Sequence, residues 1–398
     1  MPRAGLTLSN LTGRPTRPVL AAADGHEVRR GLPLPLYGAL IFAGIRVLSL
    51  AVAWVLLPRG RFHLVHASLR GLLKSWDGGR YLYIAAHGYP GDRNILWFPG
   101  YPAAIRAVHG IPGVHLGEAA LIVTIVAGLA AAWGLTRLVM TLTGNRRISL
   151  LTTALWAVAP ASFVLSMMYS EALFCALAIW ALVALAERRW LTAAGLTILA
   201  GTVHTSAVAL IAAVIFAAVP VLFRAAEERQ RFAAWWRPAA ALVLAPLGLL
   251  GFFAYAALTT HRLNGWFLAE EKVHNGFDLG RSLLLTLKHA IAWGPSAYVA
   301  LTLLVIAVAV VLAGFSLTER MPACLYAYTL VIVLLALASG PGYLGSKPRF
   351  LLPAMLLGLP LARRLAPART WVLIPLIATF AAASTWFFLY LISNRWAP

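Results

Sequence analysis

The chain has 398 residues, 61% of them hydrophobic and 12% charged, with a formal net charge of +20. Soluble domains carry about 25% charged residues, so the composition excludes an ordinary soluble enzyme and points to a polytopic α-helical membrane protein. The positive charge is nearly all arginine, with lysine only at Lys74, Lys272, Lys288 and Lys347; basic loops meeting anionic lipid account for it better than nucleic acid does.

Residues 1–36 are polar and arginine-bearing and lack the sustained apolar core of a secretory signal. They are expected to form a disordered cytoplasmic tail ahead of a single transmembrane domain over 37–398. Apolar runs then predict about eleven spans in an all-α fold, at 37–57, 117–141, 148–167, 171–186, 191–204, 206–223, 238–259, 296–316, 322–339, 349–363 and 370–392. The stretch 191–223 is long for one span and short for two. It is split because arginines flank both ends, Arg188 and Arg189 on one side and Arg224, Arg229 and Arg231 on the other.

The arginine-bearing connections 142–147, 187–190, 224–237, 317–321 and 364–369 are then cytoplasmic, as is the N-terminus. The loop 58–116, the turns at 168–170 and near 205, the loop 260–295 and the segment 340–348 fall on the outer face of the cell membrane. Loop 58–116 is also basic, but long loops count little toward orientation. Cys175 and Cys324 lie in apolar runs and read as small packed hydrophobes.

The first outer loop is not a plain linker. "HASLRGLLKSW" (66–76) and "GRYLYIAAH" (79–87) repeat apolar residues at helical spacing, which suits helices lying in the interface plane. "FPGYPAAIRAV" (98–108) follows as a Pro-started helix. Between them "WDGG" places Asp77 after Trp76 and before two glycines. Asp77 reads as an N-cap and as a general base that takes a proton from a hydroxyl nucleophile; one residue can serve as both. Arg80, about one turn later, suits a phosphate, a lipid headgroup or a pair with Asp77. His87 and Tyr89 read as the residues that close the helix. Trp97, Phe98, Tyr101 and Pro102 suit either the wall of a sugar or lipid site or an aromatic belt.

Further along, Arg46 lies inside the first span and requires a partner or a polar cavity there. Glu171, in "MYSEALF", opens a span, where charge is favourable at a helix N-terminus; a supporting role, positioning an acceptor or an arginine, fits it best. His204, in "GTVHTSA", reads first as hydrogen-bonded packing. Arg262, Glu270, Glu271, His274 and Arg281 in the second outer loop read as ordinary solvated charges. Lys347 and Arg349, in "GSKPRFLLPA", suit a lipid phosphate or snorkelling to headgroups. No nucleotide cradle, HExxH or GxSxG motif is present, and no pair of acids has metal-ligand spacing.

These motifs carry a resemblance. "WDGGRYLYIAAHGY" followed by "WFPGYP", then "YSEALF" and "KPRFLLPA" in the same order, resembles the phosphatidylinositol-glycan class V family of mannosyltransferases and its bacterial relatives, membrane glycosyltransferases of the GT-C fold. The resemblance runs from about residue 46 to 357. It implies a GT-C-like bundle and a polyprenyl-phosphate-linked sugar donor, typically mannose, used on the non-cytoplasmic face. The acceptor it implies is a glycolipid, a glycan or a protein, with inversion at the anomeric carbon and without metal or cofactor. It implies Asp77 as the base and sets Glu171 and Arg349 at the polar positions of the later motifs. The chain departs from the family pattern at His204, where relatives carry an arginine, and in the loop "NGWFLAEEKVHNGF" (264–277).

On this reading Lys347, Arg349 and Arg80 stabilise the departing lipid phosphate. Glu171, His204, Trp76 and Tyr101 hold the acceptor or support the site. A competing reading is a lipid-linked sugar transporter or a non-catalytic membrane partner, which explains the same cations without chemistry. A cavity that contains Asp77 and reaches Arg349 discriminates the two, because a carboxylate pointing into headgroups supports no catalysis.

Overall fold

The computed structural model describes residues 32–57, 68–89, 94–273 and 275–393. The predicted tail 1–36 therefore lies almost wholly outside the described residues, as do His274 and the start of the first outer loop.

Among the described residues eighteen α-helices follow in order. Helix α1 (Leu34–Leu56) is the first apolar run. The first loop forms α2 (Leu69–Lys74), α3 (Asp77–His87) and α4 (Gly100–His109), as its helical spacing predicted. Next come α5 (Leu116–Thr143), α6 (Arg146–Ala157), α7 (Glu171–Ala186), α8 (Trp190–Gly201) and α9 (Ala207–Glu227). Then follow α10 (Phe232–Leu244), α11 (Leu247–Thr260), α12 (Gly265–Lys272) and α13 (Arg281–Trp293). The chain closes with α14 (Ala297–Ser316), α15 (Ala323–Ala338), α16 (Lys347–Phe350), α17 (Leu359–Leu365) and α18 (Thr370–Ser393). Among the described residues the only β-pairing is an isolated bridge between Phe277 and Ser339.

Local chemistry sets these boundaries. Asn145 starts α6 by accepting hydrogen bonds from the N–H groups of Arg147 (2.9 Å) and Ile148 (3.1 Å). Gly144, at φ 63°, ends α5 in the left-handed conformation that glycine adopts at least cost. Prolines break three of the predicted spans, because proline lacks an N–H and clashes with the preceding turn. The span 148–167 becomes α6 and, after Pro160, a 3-10 turn Ser162–Ser166. The span 349–363 becomes α16, a 3-10 turn Met355–Gly358 after Pro353, and α17. The span 238–259 is jointed at Ala245–Pro246 between α10 and α11. The stretch 191–223 forms two helices, α8 and α9, as the flanking arginines indicated.

Among the described residues six helices are long and apolar enough to cross a membrane, with α10 and α11 counted together, and α7, α8 and α15 are shorter apolar helices. The chain is a multi-pass membrane protein. Nine of the eleven expected spans correspond to these helices, while 148–167 and 349–363 are broken near Pro160 and Pro353 rather than forming single helices.

Helix α7 is the centre of the bundle, buried on nearly every face and packed against α5, α8 and α9. Close crossings depend on missing side chains. A Cβ on Gly248 would lie 1.9 Å from the Ile198 carbonyl oxygen, so α11 can cross α8 only with glycine there. Arg46 finds the partner its position demanded. Its guanidinium donates to the carbonyls of Ala157 and Ser162 and to Ser162 Oγ (3.2 Å), at the break where α6 leaves carbonyls without helical partners.

Candidate active site

The site is built where α3 begins. Trp76 has φ 55° and ψ −123°, a backbone conformation that a non-glycine residue rarely adopts. The turn makes Asp77 the first residue of α3 rather than its cap: Trp76 holds the cap position and no side chain caps the helix. The sequence reading of Asp77 as an N-cap is thereby corrected. Its carboxylate is directed elsewhere, while its backbone N–H donates to Tyr169 Oη at 3.3 Å. The same turn is fastened below by the Met168 N–H on the Leu73 carbonyl at 3.0 Å and by Tyr81 Oη with Ser170 Oγ at 2.8 Å.

The carboxylate of Asp77 accepts two strong hydrogen bonds. Oδ1 takes one from Trp97 Nε1 at 3.0 Å, and Oδ2 takes one from Arg349 Nη1 at 2.8 Å. Arg349 is shared: its Nε lies 3.1 Å from Glu171 Oε1. That second contact is an ion pair without hydrogen-bond alignment, because Arg349 Nε has no hydrogen-bond partner among the described residues. The guanidinium also lies over the rings of Tyr169 and Phe350, 5.4 and 5.2 Å from their centroids. The Asp77 side chain is 29% exposed and Glu171 only 4%, so Asp77 is the carboxylate that faces the cavity. The guanidinium is thus shared between two carboxyl groups. A carboxylate offers about four acceptor positions, and the two contacts at Asp77 leave it room to accept a further proton donor.

Trp97 is itself fixed. The Arg80 guanidinium lies 5.5 Å above its ring, and Tyr89 Oη donates to its backbone carbonyl at 2.7 Å. The "WFPGYP" motif contains Gly100, whose N–H donates to the Thr202 carbonyl at 2.7 Å. A Cβ on Gly100 would sit 2.6 Å from Thr202 Oγ1 and from Val203 Cγ2. Glycine there lets the first loop close onto the turn that carries His204.

A cavity of about 840 Å³ opens at this place. Trp76, Asp77, Arg80, His204 and Arg349, five of the residues expected at the site, line it together with Trp97 and Phe98. Arg80 has no hydrogen-bond or ion-pair partner among the described residues, and its guanidinium is exposed. His204 Nδ1 accepts from the Ser206 N–H at 3.1 Å, which places the proton of a neutral ring on Nε2. The ring also packs against Phe174, 5.3 Å between centroids, so the expected packing role holds alongside its place in the wall.

Three expected residues lie elsewhere. Glu171 is buried behind Arg349 and supports it. Tyr101 is fully buried, bonded to Thr124 Oγ1 at 2.8 Å and to the Ala120 carbonyl at 3.1 Å; it packs edge-on to Tyr81 behind the site rather than forming its wall. Lys347 is 1% exposed and does not line the cavity. Its ammonium donates to the carbonyls of Ala336 (3.0 Å), Leu337 (3.3 Å) and Ser339 (2.6 Å) and to Ser339 Oγ (2.9 Å). Those are the carbonyls left over where α15 ends. Lys347 therefore ties off a helix, and the phosphate role expected for it is withdrawn.

The second outer loop supplies a further part of the wall. Glu270, Glu271, Asn275 and Phe277, from α12 and the strand-like segment after it, line the same cavity with Trp266 and Phe267. Glu270 had been read as a solvated loop charge. Instead burial pushes its carboxyl up to about 7, opposed by a hydrogen bond from Asn275 Nδ2 at 2.6 Å. The apolar "GWFL" ahead of the two glutamates was the available signal, since it draws that helix toward the bundle.

Comparison with known proteins bears on this arrangement. The family model described as Mannosyltransferase (PIG-V) matches residues 60–262, just over half of the chain. Over 121 residues the chain is 31% identical to GPI mannosyltransferase pigv-1 of Caenorhabditis elegans, covering 26% of this chain and 18% of that protein. Over 128 residues it is 30% identical to GPI alpha-1,6-mannosyltransferase 2 of Mus musculus, covering 30% of this chain and 26% of that one. These matches thus span about a quarter or less of the relatives' length. Among solved structures, ArnT from Cupriavidus metallidurans bound to undecaprenyl phosphate is similar with a TM-score of 0.51 and 15% identity, over 89% of this chain and 69% of that one. At that identity the likeness is one of fold, and it agrees with the GT-C-like bundle expected from the sequence.

Proposed function

The chain belongs to the PIG-V mannosyltransferase family, and we propose that it is an inverting glycosyltransferase that moves a sugar, mannose by family, from a polyprenyl-phosphate donor to an acceptor hydroxyl on the outer face of the cell membrane. The observation that carries this reading is the Asp77 carboxylate, held by Arg349 and Trp97 at the wall of the 840 Å³ cavity. That carboxylate faces the cavity rather than the headgroups and keeps room to accept a proton, which a passive membrane partner does not require.

The reaction follows from the groups present. The acceptor hydroxyl gives its proton to Asp77 as its oxygen attacks the anomeric carbon. The bond from that carbon to the donor phosphate oxygen breaks, its electrons leave with the polyprenyl phosphate, and attack from the opposite face inverts the centre. The leaving group carries a new negative charge that needs a cation. Arg349 is already matched by two carboxylates. Arg80, with no polar partner among the described residues, is the cation free to take it. Arg349 then acts as a positioning residue: it orients Asp77 and, through Glu171, is itself held. The undecaprenyl phosphate bound to ArnT supports a lipid phosphate as the donor's leaving group.

The test is transfer from radiolabelled polyprenyl-phosphate-mannose in membranes that contain the full-length Asp77→Asn variant. Transfer at the wild-type rate would remove Asp77 from the mechanism.

A further inference from the structure

Helix α13 is the least covered helix of the second outer loop. It has thirteen residues, among them four leucines, an isoleucine and a tryptophan, yet only Ala290 is buried. Leu284, Leu287 and Ile291 are 61%, 43% and 78% exposed. They follow one another at spacings of three and four, so they form a single apolar stripe. Arg281 and Lys288 border that stripe on the helix surface, and α13 contains no acidic residue.

The surrounding chain indicates what covers the stripe. Thirteen residues make a helix of about 20 Å, short of the roughly 30 Å of a hydrocarbon core, and α12 is shorter still. Helices α11 and α14 belong to spans, so the end of α11 and the start of α14 lie at the same membrane face. Only Gly294, Pro295 and Ser296 separate α13 from α14, and Ser296 Oγ caps α14 by accepting from the Val299 N–H at 3.4 Å. The end of α13 is thereby held at the level where α14 enters the bilayer. Trp293 is 80% exposed there, and tryptophan favours that level.

The start of α13 is fastened to the cavity. The Asp278 carboxylate accepts from the N–H groups of Gly280 and Ser282, both at 2.9 Å, and the Asp278 N–H donates to the Ala338 carbonyl at 3.1 Å. Its neighbour Phe277 bridges to Ser339 and lines the cavity.

We infer that α13 is an interfacial helix whose partner is an anionic lipid surface. Leu284, Leu287 and Ile291 enter the acyl region, and Arg281 and Lys288 meet the phosphates of the headgroups. A second copy of the chain on this face would bring the same cations together with no acid on the helix to meet them. Through Asp278 and Phe277 the helix ties the second-loop wall of the cavity to the headgroup layer, whatever reaction the cavity supports.

The test places an NBD fluorophore on Leu287→Cys, Ile291→Cys or His289→Cys in the full-length protein, in nanodiscs of phosphatidylcholine with or without phosphatidylglycerol. Cys175 and Cys324 are buried, so wild type treated alike gives the baseline. His289 lies about 160° round the helix from the other two positions. At Leu287→Cys and Ile291→Cys the emission should shift to the blue and be quenched by lipids with a nitroxide on the acyl chain, but not by iodide; at His289→Cys the pattern should reverse. Phosphatidylglycerol should deepen the lipid quenching, and Arg281→Gln with Lys288→Gln should abolish that dependence in protein whose elution profile is unchanged. Equal iodide quenching at all three positions would place the helix in water and overturn the inference. Protection from both quenchers would overturn it in favour of a protein partner or a second copy. Lipid quenching indifferent to phosphatidylglycerol would overturn an anionic surface as the partner.

Discussion

Two buried arginines in this protein are held in opposite ways. Arg46, in the first span, is surrounded by backbone carbonyls and a serine hydroxyl at the broken end of α6. Arg349, near the other end of the sequence, is held by the carboxylates of Asp77 and Glu171 beside a cavity. Carbonyl dipoles stabilise a cation without adding a group that can exchange a proton. Carboxylates do add one. A buried charge in a membrane helix is therefore not by itself a sign of function; its counter-groups decide whether it is a structural pin or part of a reacting centre.

Substitutions can break that comparison. Arg349→Gln should cause the largest loss, because it leaves two carboxylates close together with no cation. Breaking a buried pair by removing one partner costs about 3–5 kcal/mol. We expect both a lower unfolding temperature in detergent and transfer reduced by about a hundredfold or more per folded molecule. Arg46→Met should lower stability as well, by about 1–3 kcal/mol, through carbonyls left unpaired, yet the folded fraction should transfer sugar at close to the wild-type rate. If Arg46→Met abolished transfer in correctly folded protein, the distinction between the two arginines would fail.

A smaller effect sharpens the division of labour at the site. Arg80→Gln should raise the KM for the lipid-linked donor about tenfold and leave thermal stability nearly unchanged, since among the described residues its guanidinium has no polar partner and lies over the face of Trp97. An unchanged donor KM would return the phosphate role to another cation.

The smallest expected effect concerns pH. Partial burial pushes the Glu270 carboxyl up to about 7, so its carboxylate is present above that pH and is lost as pH falls through it. Transfer should therefore change as pH falls through about 7, and Glu270→Gln should flatten that change. Asp77, Arg349, His204 and Arg80 share the cavity with it, and Glu271 and Lys272 lie on its own helix, so the comparison is made between wild type and Glu270→Gln rather than on the wild-type profile alone.

Much of this was legible in the chain. Asp77 stood out because a charged, aromatic, glycine-bearing stretch is conspicuous between apolar runs, and the three short helices of the first loop followed from their periodicity. Glu171 and Arg349 were visible as charges at the mouths of apolar segments. That Arg349 joins Glu171 to Asp77 was not, since the contact between Asp77 and Arg349 joins residues 272 positions apart. Lys347 misled for a local reason: nothing in "GSKPRF" shows that α15 ends within reach of its ammonium. Glu270 was missed because a glutamate beside Glu271 and Lys272 has the appearance of a solvated face, and only folding carries α12 against the cavity. The proline-broken spans show the limit of hydropathy, which records apolar length but not the interruption of a helix at Pro160 or Pro353.

The central claim is that Asp77 performs the chemistry while the rest of the cavity binds. It is tested most directly by single-turnover transfer from saturating polyprenyl-phosphate-[3H]mannose in Asp77→Asn, with donor affinity measured on the same preparation. The account predicts a chemical step slowed by about a hundredfold to ten-thousandfold with donor affinity within a few-fold of wild type. A normal chemical step, or a loss explained wholly by donor affinity, would contradict it.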